Sequence, residues 1–168
     1  PRAVAPPAPA AAPSPTPTAI RAEVKPKYGG TLNTTYNAEL PRWDPHIFQG
    51  GNYAVTDWVT QTLLRSNPVS GELEPGLAKE WKWQDERTLV FRLHEGVRFH
   101  NKPPVNGREL TAEDVVYSLQ RAATDDPRFV RRGQFTTVER FEVVDKYTLR
   151  IVQKQPFVPI LNYLTWNG

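Results

Sequence analysis

Three sets of side chains in this sequence could do chemistry: the adjacent carboxylates Glu113 and Asp114, the histidines His46, His94 and His100, and the hydroxyls of Ser66, Ser70 and Ser118. Acid–base work on a glycosidic bond needs two carboxylates flanking the bond being cut. Glu113 and Asp114 fall at the start of a helical pattern, where neighbours point about 100° apart, so they do not flank one bond. They suit a helix N-terminus instead. The histidines lack the i, i+4 spacing and the carboxylate neighbours of a metal site, and neither a metal nor another cofactor is called for. Sequence order leaves a Ser–His–Asp arrangement open, but no Gly-x-Ser-x-Gly elbow is present and the three serines have turn or helix contexts. No residue is assigned a catalytic role.

Binding patterns are equally restrained. Gly29-Gly30 and Gly50-Gly51 extend to neither a phosphate-cradling loop nor a dinucleotide fingerprint. Of the five tryptophans, Trp58 and one of Trp81 and Trp83 read as core, whereas Trp43 and Trp166 are the better candidates for a ligand cleft.

The elements that must position such residues begin after a distinct N-terminal stretch. Residues 1–27 are rich in Pro, Ala, Ser and Thr, with seven prolines up to Pro17, and carry too little large apolar surface to offset the entropy of ordering. They read as a semi-rigid, polyproline-like tether, and residues 28–168 as the folded part. The chain has 168 residues and a net charge of +3. Arg2, Arg21, Lys25 and Lys27 against Glu23 put that whole excess in the tether, so the folded part is neutral and lacks the basic face that nucleic-acid binding requires. Cysteine is absent, which removes disulfides and thiol chemistry. No run of about 20 apolar residues spans a membrane, and the tether composition favours an exported chain.

Within the folded part, Thr31–Tyr36 reads as a strand after a glycine pair, and Pro41 and Pro45 make the following stretch a structured loop. Tyr53, Val55, Val59, Leu63 and Leu64 recur at helical spacing, which predicts a helix over 53–64. Leu77–Trp83 and Thr88–Leu93 predict a β-hairpin with a four-residue loop, Gln84 to Arg87. Phe141 and Val143 with Leu149 and Ile151 predict a second hairpin about Asp145-Lys146. Between them Thr111–Ala123 is the clearest helix, with Thr111 as N-cap, Asp114 closing a shortened capping box, and Val115, Val116, Leu119, Ala122 and Ala123 as its apolar stripe. The segment is therefore a mixed α+β arrangement.

Several of these stretches, taken in order, resemble the N-terminal part of the family 5 solute-binding proteins, the oligopeptide- and dipeptide-binding proteins of ABC importers. Gly29-Gly30-Thr31-Leu32 and Trp43-Asp44-Pro45-His46 are similar to that family, as are Glu74–Trp81, Leu89–Asn101 and Leu110–Arg121, with Tyr147–Ile151 and Gln155-Pro156-Phe157 beyond them. One departure is the inserted Lys102–Glu109, for which a longer loop on an intact fold is expected. The resemblance implies an α/β periplasmic-binding-protein type II-like fold, of which this chain is the first part of lobe one. The resemblance also implies that two such lobes close over the ligand by hinge motion. It further implies capture of peptides or similar solutes outside the membrane, held by backbone hydrogen bonds in the β-augmentation mode, and delivery to permease subunits. A monomer is expected, tethered through a lipid anchor upstream of Pro1. Ala38, Glu39 and Leu40, with Gly50, Gly51, Asn52 and Tyr53, are the implied cleft-wall residues, joined by Trp43 and Trp166. An extracellular hydrolase domain, or a sensor or adhesion module on the same fold, are the alternatives.

Overall fold

The computed structural model describes residues 29–31, 33–35, 44–47 and 57–165. The chain divides after Tyr36 into two units. In the first, the described residues are exposed and form no strand, and Gly29 and Gly30 have φ of 89° and 98°. The strand expected over Thr31–Tyr36 is therefore not formed at 31 and 33–35, while Leu32 and Tyr36 lie outside the described residues. A β-prone run becomes a strand only when a neighbour completes its hydrogen-bond ladder, and among the described residues no such neighbour pairs with it.

Among its described residues, the second unit is built on two antiparallel sheets. β1 (Leu64–Ser66) pairs with β2 (Leu73–Pro75), and β3 (Ala78–Trp83), β4 (Thr88–Leu93), β5 (Val138–Asp145) and β6 (Thr148–Gln153) form a sheet of order β3-β4-β6-β5. Between β4 and β5 run α1 (Ala112–Ala122) and a 3₁₀ turn, Arg132–Phe135; α2 (Ile160–Tyr163) follows β6. Period-2 alternation puts Leu89, Phe91 and Leu93 of β4 on the buried face, opposite Leu149 and Ile151 of β6 in the register Leu89↔Ile151 and Phe91↔Leu149. All five are fully buried. α1 lays Ala112, Val115, Val116 and Ala122 onto this core.

Both predicted hairpins form, and the same device closes them. Asp85 Oδ1 accepts the amides of Arg87 and Thr88 at 2.8 and 2.9 Å, and Asp145 Oδ1 accepts that of Tyr147 at 2.8 Å. Short aspartates favour such turns because the side chain replaces a missing backbone acceptor. The α1 start also matches expectation: the Thr111 amide donates to Asp114 Oδ2 at 3.0 Å, satisfying a donor that the first turn leaves unpaired. Arg108 then grips both oxygens of Asp114 at 2.7 and 2.5 Å.

The inserted segment is a closed loop on an intact frame. Its ends meet where Arg98 pairs with Glu109, the Phe99 amide donates to Arg108 O at 3.0 Å, and the Leu110 amide donates to Val97 O at 2.8 Å. Asn106 and Gly107 take φ of 50° and 68°, the left-handed region that Asn and Gly tolerate best. Glu109 fastens this loop to the β5–β6 turn: it accepts from Lys146 Nζ at 2.7 Å, Tyr147 OH at 2.8 Å and the Gly96 amide at 2.8 Å. Those donors, Lys146 foremost, hold its carboxyl down to about 2.

Two expectations are corrected. The helix predicted over 53–64 is absent from its described part: 57–59 form a turn and Leu64 opens β1, while 53–56 lie outside the described residues. Leu63 and Leu64 are both buried, Leu63 O accepting the Ala78 amide and the Leu64 amide donating to Leu164 O at 3.1 Å. Non-local strand pairing thus outcompetes a helical pattern rich in β-branched Val59, Thr60 and Thr62. Trp58, assigned to the core, is 59% exposed, whereas Trp81 and Trp83 do pack against it.

Candidate functional site

The loop Asp44–Ile47 is where two distant motifs meet. Asp44 first organises its own turn, accepting the His46 amide on Oδ1 at 3.1 Å and the Ile47 amide on its carbonyl at 3.3 Å. Arg121, in the last turn of α1, then reaches both Asp44 oxygens, with Nη1 donating to Oδ1 at 2.8 Å and Nη2 donating to Oδ2. A guanidinium fork matches a carboxylate in this two-point way, which fixes direction as well as distance. The Phe129 ring lies 5.0 Å from the same guanidinium, a cation–π contact that holds the segment after α1 in place. The Val130 amide completes the staple by donating to His46 O at 3.1 Å.

His46 is the titratable centre of this cluster. Arg121 Nη1 lies 2.9 Å from Nδ1, and because Arg only donates, Nδ1 must accept and the ring proton sits on Nε2. Nε2 faces Ser118 Oγ at 3.4 Å. Burial pushes the imidazole below its ordinary value and the Arg121 charge pushes the same way; Asp44 pulls against them, and Arg131 adds the smallest downward push. The Arg121 contact holds the Asp44 carboxyl below the usual carboxylate range, and Asp44 raises Arg121 in return. His46 is thus held neutral beside a satisfied ion pair, a positioning arrangement rather than that of an activated base.

This staple edges a cleft of about 990 Å³. Leu77, Leu110, Val115 and Leu119 give it an apolar floor, while Trp58 and Val59, 59% and 51% exposed, form an open flank where His100 Nε2 lies 3.3 Å from Val59 O. Arg131, only 7% exposed, lines it beside His46. Among the described residues its lining carboxylates are Asp57 and Asp114, and Asp114 is already occupied by Arg108 and the helix cap. A volume of this size, an apolar floor and a few fixed polar groups suit a medium-sized solute, since small-molecule sites commonly enclose about 300–1,000 Å³. Among the described residues no three His, Asp or Glu side chains converge as metal ligands. A second, smaller hollow of about 630 Å³ lies by the 3₁₀ turn, with Phe135 and Phe141 in its wall.

The nine residues singled out from the sequence, Ala38, Glu39, Leu40, Trp43, Gly50, Gly51, Asn52, Tyr53 and Trp166, all lie outside the described residues. The described Asp44–Ile47 directly follows Trp43 in sequence. Sequence reasoning missed Trp58, Ser118, Arg121 and Arg131 as cleft or positioning residues, and weighed His46 as a metal ligand, as a member of a Ser–His–Asp arrangement and as part of a family-like motif, not as a positioning residue. A signal existed for Ser118 and Arg121, which lie in the Leu110–Arg121 motif, as Asp44 and His46 lie in the Trp43–His46 motif; Trp58 and Arg131 lie in neither.

Comparison with known proteins agrees with this architecture. Residues 72–166 match the model of the family described as bacterial extracellular solute-binding proteins, family 5 Middle. The chain is similar to di/tripeptide-binding protein 2 of Pseudomonas aeruginosa strain UCBPP-PA14, 32% identical over 163 residues that cover 85% of this chain and 29% of that protein. Among solved structures, NikA from Brucella suis in complex with Fe(III)-EDTA matches with a TM-score of 0.68 and 26% identity, covering 79% of this chain and 26% of that one. DppA from Helicobacter pylori in complex with the peptide STSA matches with a TM-score of 0.63 and 26% identity, covering 73% and 27%. The chain therefore spans about a quarter of the length of the relatives it matches. With a mixed α/β architecture of the periplasmic-binding-protein type II kind and more than half of its length matched by the family model, the chain belongs to the family 5 bacterial extracellular solute-binding proteins.

Proposed function

We propose that this chain is the N-terminal wall of the substrate-binding component of an ABC importer, capturing peptides or chemically similar solutes outside the membrane and passing them to permease subunits without catalysis. The observation that carries this reading is the cleft of about 990 Å³ framed by two family motifs, the Asp44–His46 loop and α1, bolted together by Arg121. The named ligands support a solute class. Di/tripeptides, the peptide STSA and EDTA are chemically diverse, yet all are carboxylic acids. A small carboxylate-bearing molecule is what this wall is proposed to receive, with Ala38, Glu39, Leu40, Trp43, Gly50, Gly51, Asn52, Tyr53 and Trp166 as further contacts. Residues 28–168 are read as solute-binding domain and residues 1–27 as the tether that holds a monomer near the membrane, through a lipid anchor upstream of Pro1.

Calorimetric titration of the intact gene product with di- and tripeptides, followed by chromatography of the recovered peptide, tests this reading. Saturable binding at micromolar concentrations or tighter, with the peptide recovered whole, is expected. Cleaved peptide, or no heat with any peptide, would contradict it.

A further inference from the structure

The staple at the cleft edge depends on one lone pair. Arg121 Nη1 lies 2.9 Å from His46 Nδ1, and a guanidinium only donates, so the contact exists only while Nδ1 carries no proton. A second proton on the ring has to go to Nδ1, because Nε2 already holds one and faces Ser118 Oγ at 3.4 Å. That proton deletes the acceptor and sets an imidazolium against a guanidinium at hydrogen-bond distance. His46 is half-buried and lines the cleft, so the repulsion is only partly screened.

Among the described residues, the charges that act on the ring come from three segments. Arg121 on α1 and Arg131 in the segment after α1 oppose a positive ring, while Asp44 on its own loop favours one. Asp44 cannot turn to receive the new proton in place, because both its oxygens are taken by Arg121 and Oδ1 also accepts the His46 amide. Arg121 holds the Asp44 carboxyl below the usual carboxylate range, so this ion pair keeps its charge in mild acid. Ser118 offers only a neutral hydroxyl. Relief therefore comes by movement, with the ring leaving Arg121 and the Asp44–Arg121 pair as the pivot. The backbone tie goes with it, since the Val130 amide donates to the carbonyl of His46 itself, at 3.1 Å.

We propose that His46 is a proton-operated latch on the cleft edge: when Nδ1 takes a proton the ring is expelled from Arg121, the Val130 contact opens, and the cleft loosens its hold on the solute. The last step rests on the solute-binding reading, whereas the first two do not. The latched ring stays neutral to lower pH than a freed one, which titrates near the ordinary 6.5, so the open form gains as pH falls through that value. Neutral solution favours capture and mild acid favours release.

The test uses the intact gene product as wild type, His46→Asn and His46→Gln, whose side-chain amides keep an acceptor oxygen but take no proton. Hydrogen–deuterium exchange without added solute is followed at pH 7 and pH 5, each corrected for the intrinsic effect of pH on exchange. Wild type should exchange about 3- to 10-fold faster at pH 5 across 46–47 and at the Val130 amide, the size that linkage to one histidine permits, while β4 and β6 stay protected. Both variants should show no such difference. Calorimetric titration with di- and tripeptides at the same two pH values should give a wild-type affinity that falls by about the same factor. A smaller fall is expected in the variants, and it subtracts the titration of the peptides themselves. No change at Val130 in wild type, the same change in both variants, or β4 and β6 opening in step overturns the latch and leaves solute capture standing. Peptide affinity with one pH dependence in wild type and variants alike overturns its control of the cleft. If exchange responds as expected but no peptide binds at either pH, the solute reading falls and the proton-operated opening stands.

Discussion

Asp44 and Arg121 are 77 positions apart, yet their contact decides where the cleft edge lies. Neither partner is more than about one-third exposed, at 31% and 29% of the side chain. Replacing Asp44 by Asn or Arg121 by Gln should therefore cost about 1.5–3 kcal/mol at most in chemical denaturation, the range for hydrogen bonds to charged groups, reduced by the screening of a pair about one-third exposed. The double variant should cost less than the sum of the two, as a shared contact requires. Faster hydrogen exchange at the Val130 amide would report the released loop directly; unchanged exchange would show that the staple does not hold it. His46 adds a pH dependence whose sign is fixed by its lowered pKa. The unfolded imidazole takes a proton near its ordinary 6.5, while the native ring stays neutral to lower pH. Below about pH 6.5 the unfolded state therefore binds more protons and stability falls. Urea midpoints should drop between pH 7.5 and pH 5.5, a window above the range in which the lowered carboxyls of Glu109 and Asp114 titrate, and His46→Gln should flatten that slope. Both motifs were legible in the sequence, but the ion pair that joins them was not, because nothing local encodes a partner so far along the chain.

At the scale of elements, local periodicity was readable and long-range pairing was not. Leu89, Phe91 and Leu93 alternate within one strand, and the Asp85 and Asp145 turns lie inside their own hairpins, so each signal is complete within a few residues. α1 likewise carries its cap, its first-turn acids and its stripe in a single stretch. β1 differs, since its only reason to be a strand is Leu73–Pro75 in front of it and the Leu164 carbonyl about a hundred positions on. Helical spacing in 53–64 was a pattern without the packing that would have used it. The sheet core supplies an energetic check. Phe91 is fully buried between β3 and β6, so Phe91→Ala should cost about 3–5 kcal/mol, against a total of about 5–15 kcal/mol for a typical domain. Val143→Ala, at 42% exposure on the edge strand, should change little. Comparable losses in the two variants, measured by denaturant midpoints, would place the core elsewhere.

For the whole molecule, the family was legible because its motifs recur in order, and most of the candidate cleft was not, because a cleft is made by segments that approach only after folding. The chain covers about a quarter of its relatives' length, and on the proposed reading a solute is pressed between this wall and a second lobe. The 168-residue chain alone should then bind peptides at least about 100-fold more weakly than the intact gene product, because half the buried contact is missing. Hydrogen–deuterium exchange of the intact gene product, with and without saturating di- and tripeptides, goes most directly to the central claim. Slower exchange across residues 44–47, 57–62 and 97–100, which border the cleft, is the predicted result; unchanged exchange in all three, with protection confined to other surfaces, would contradict it.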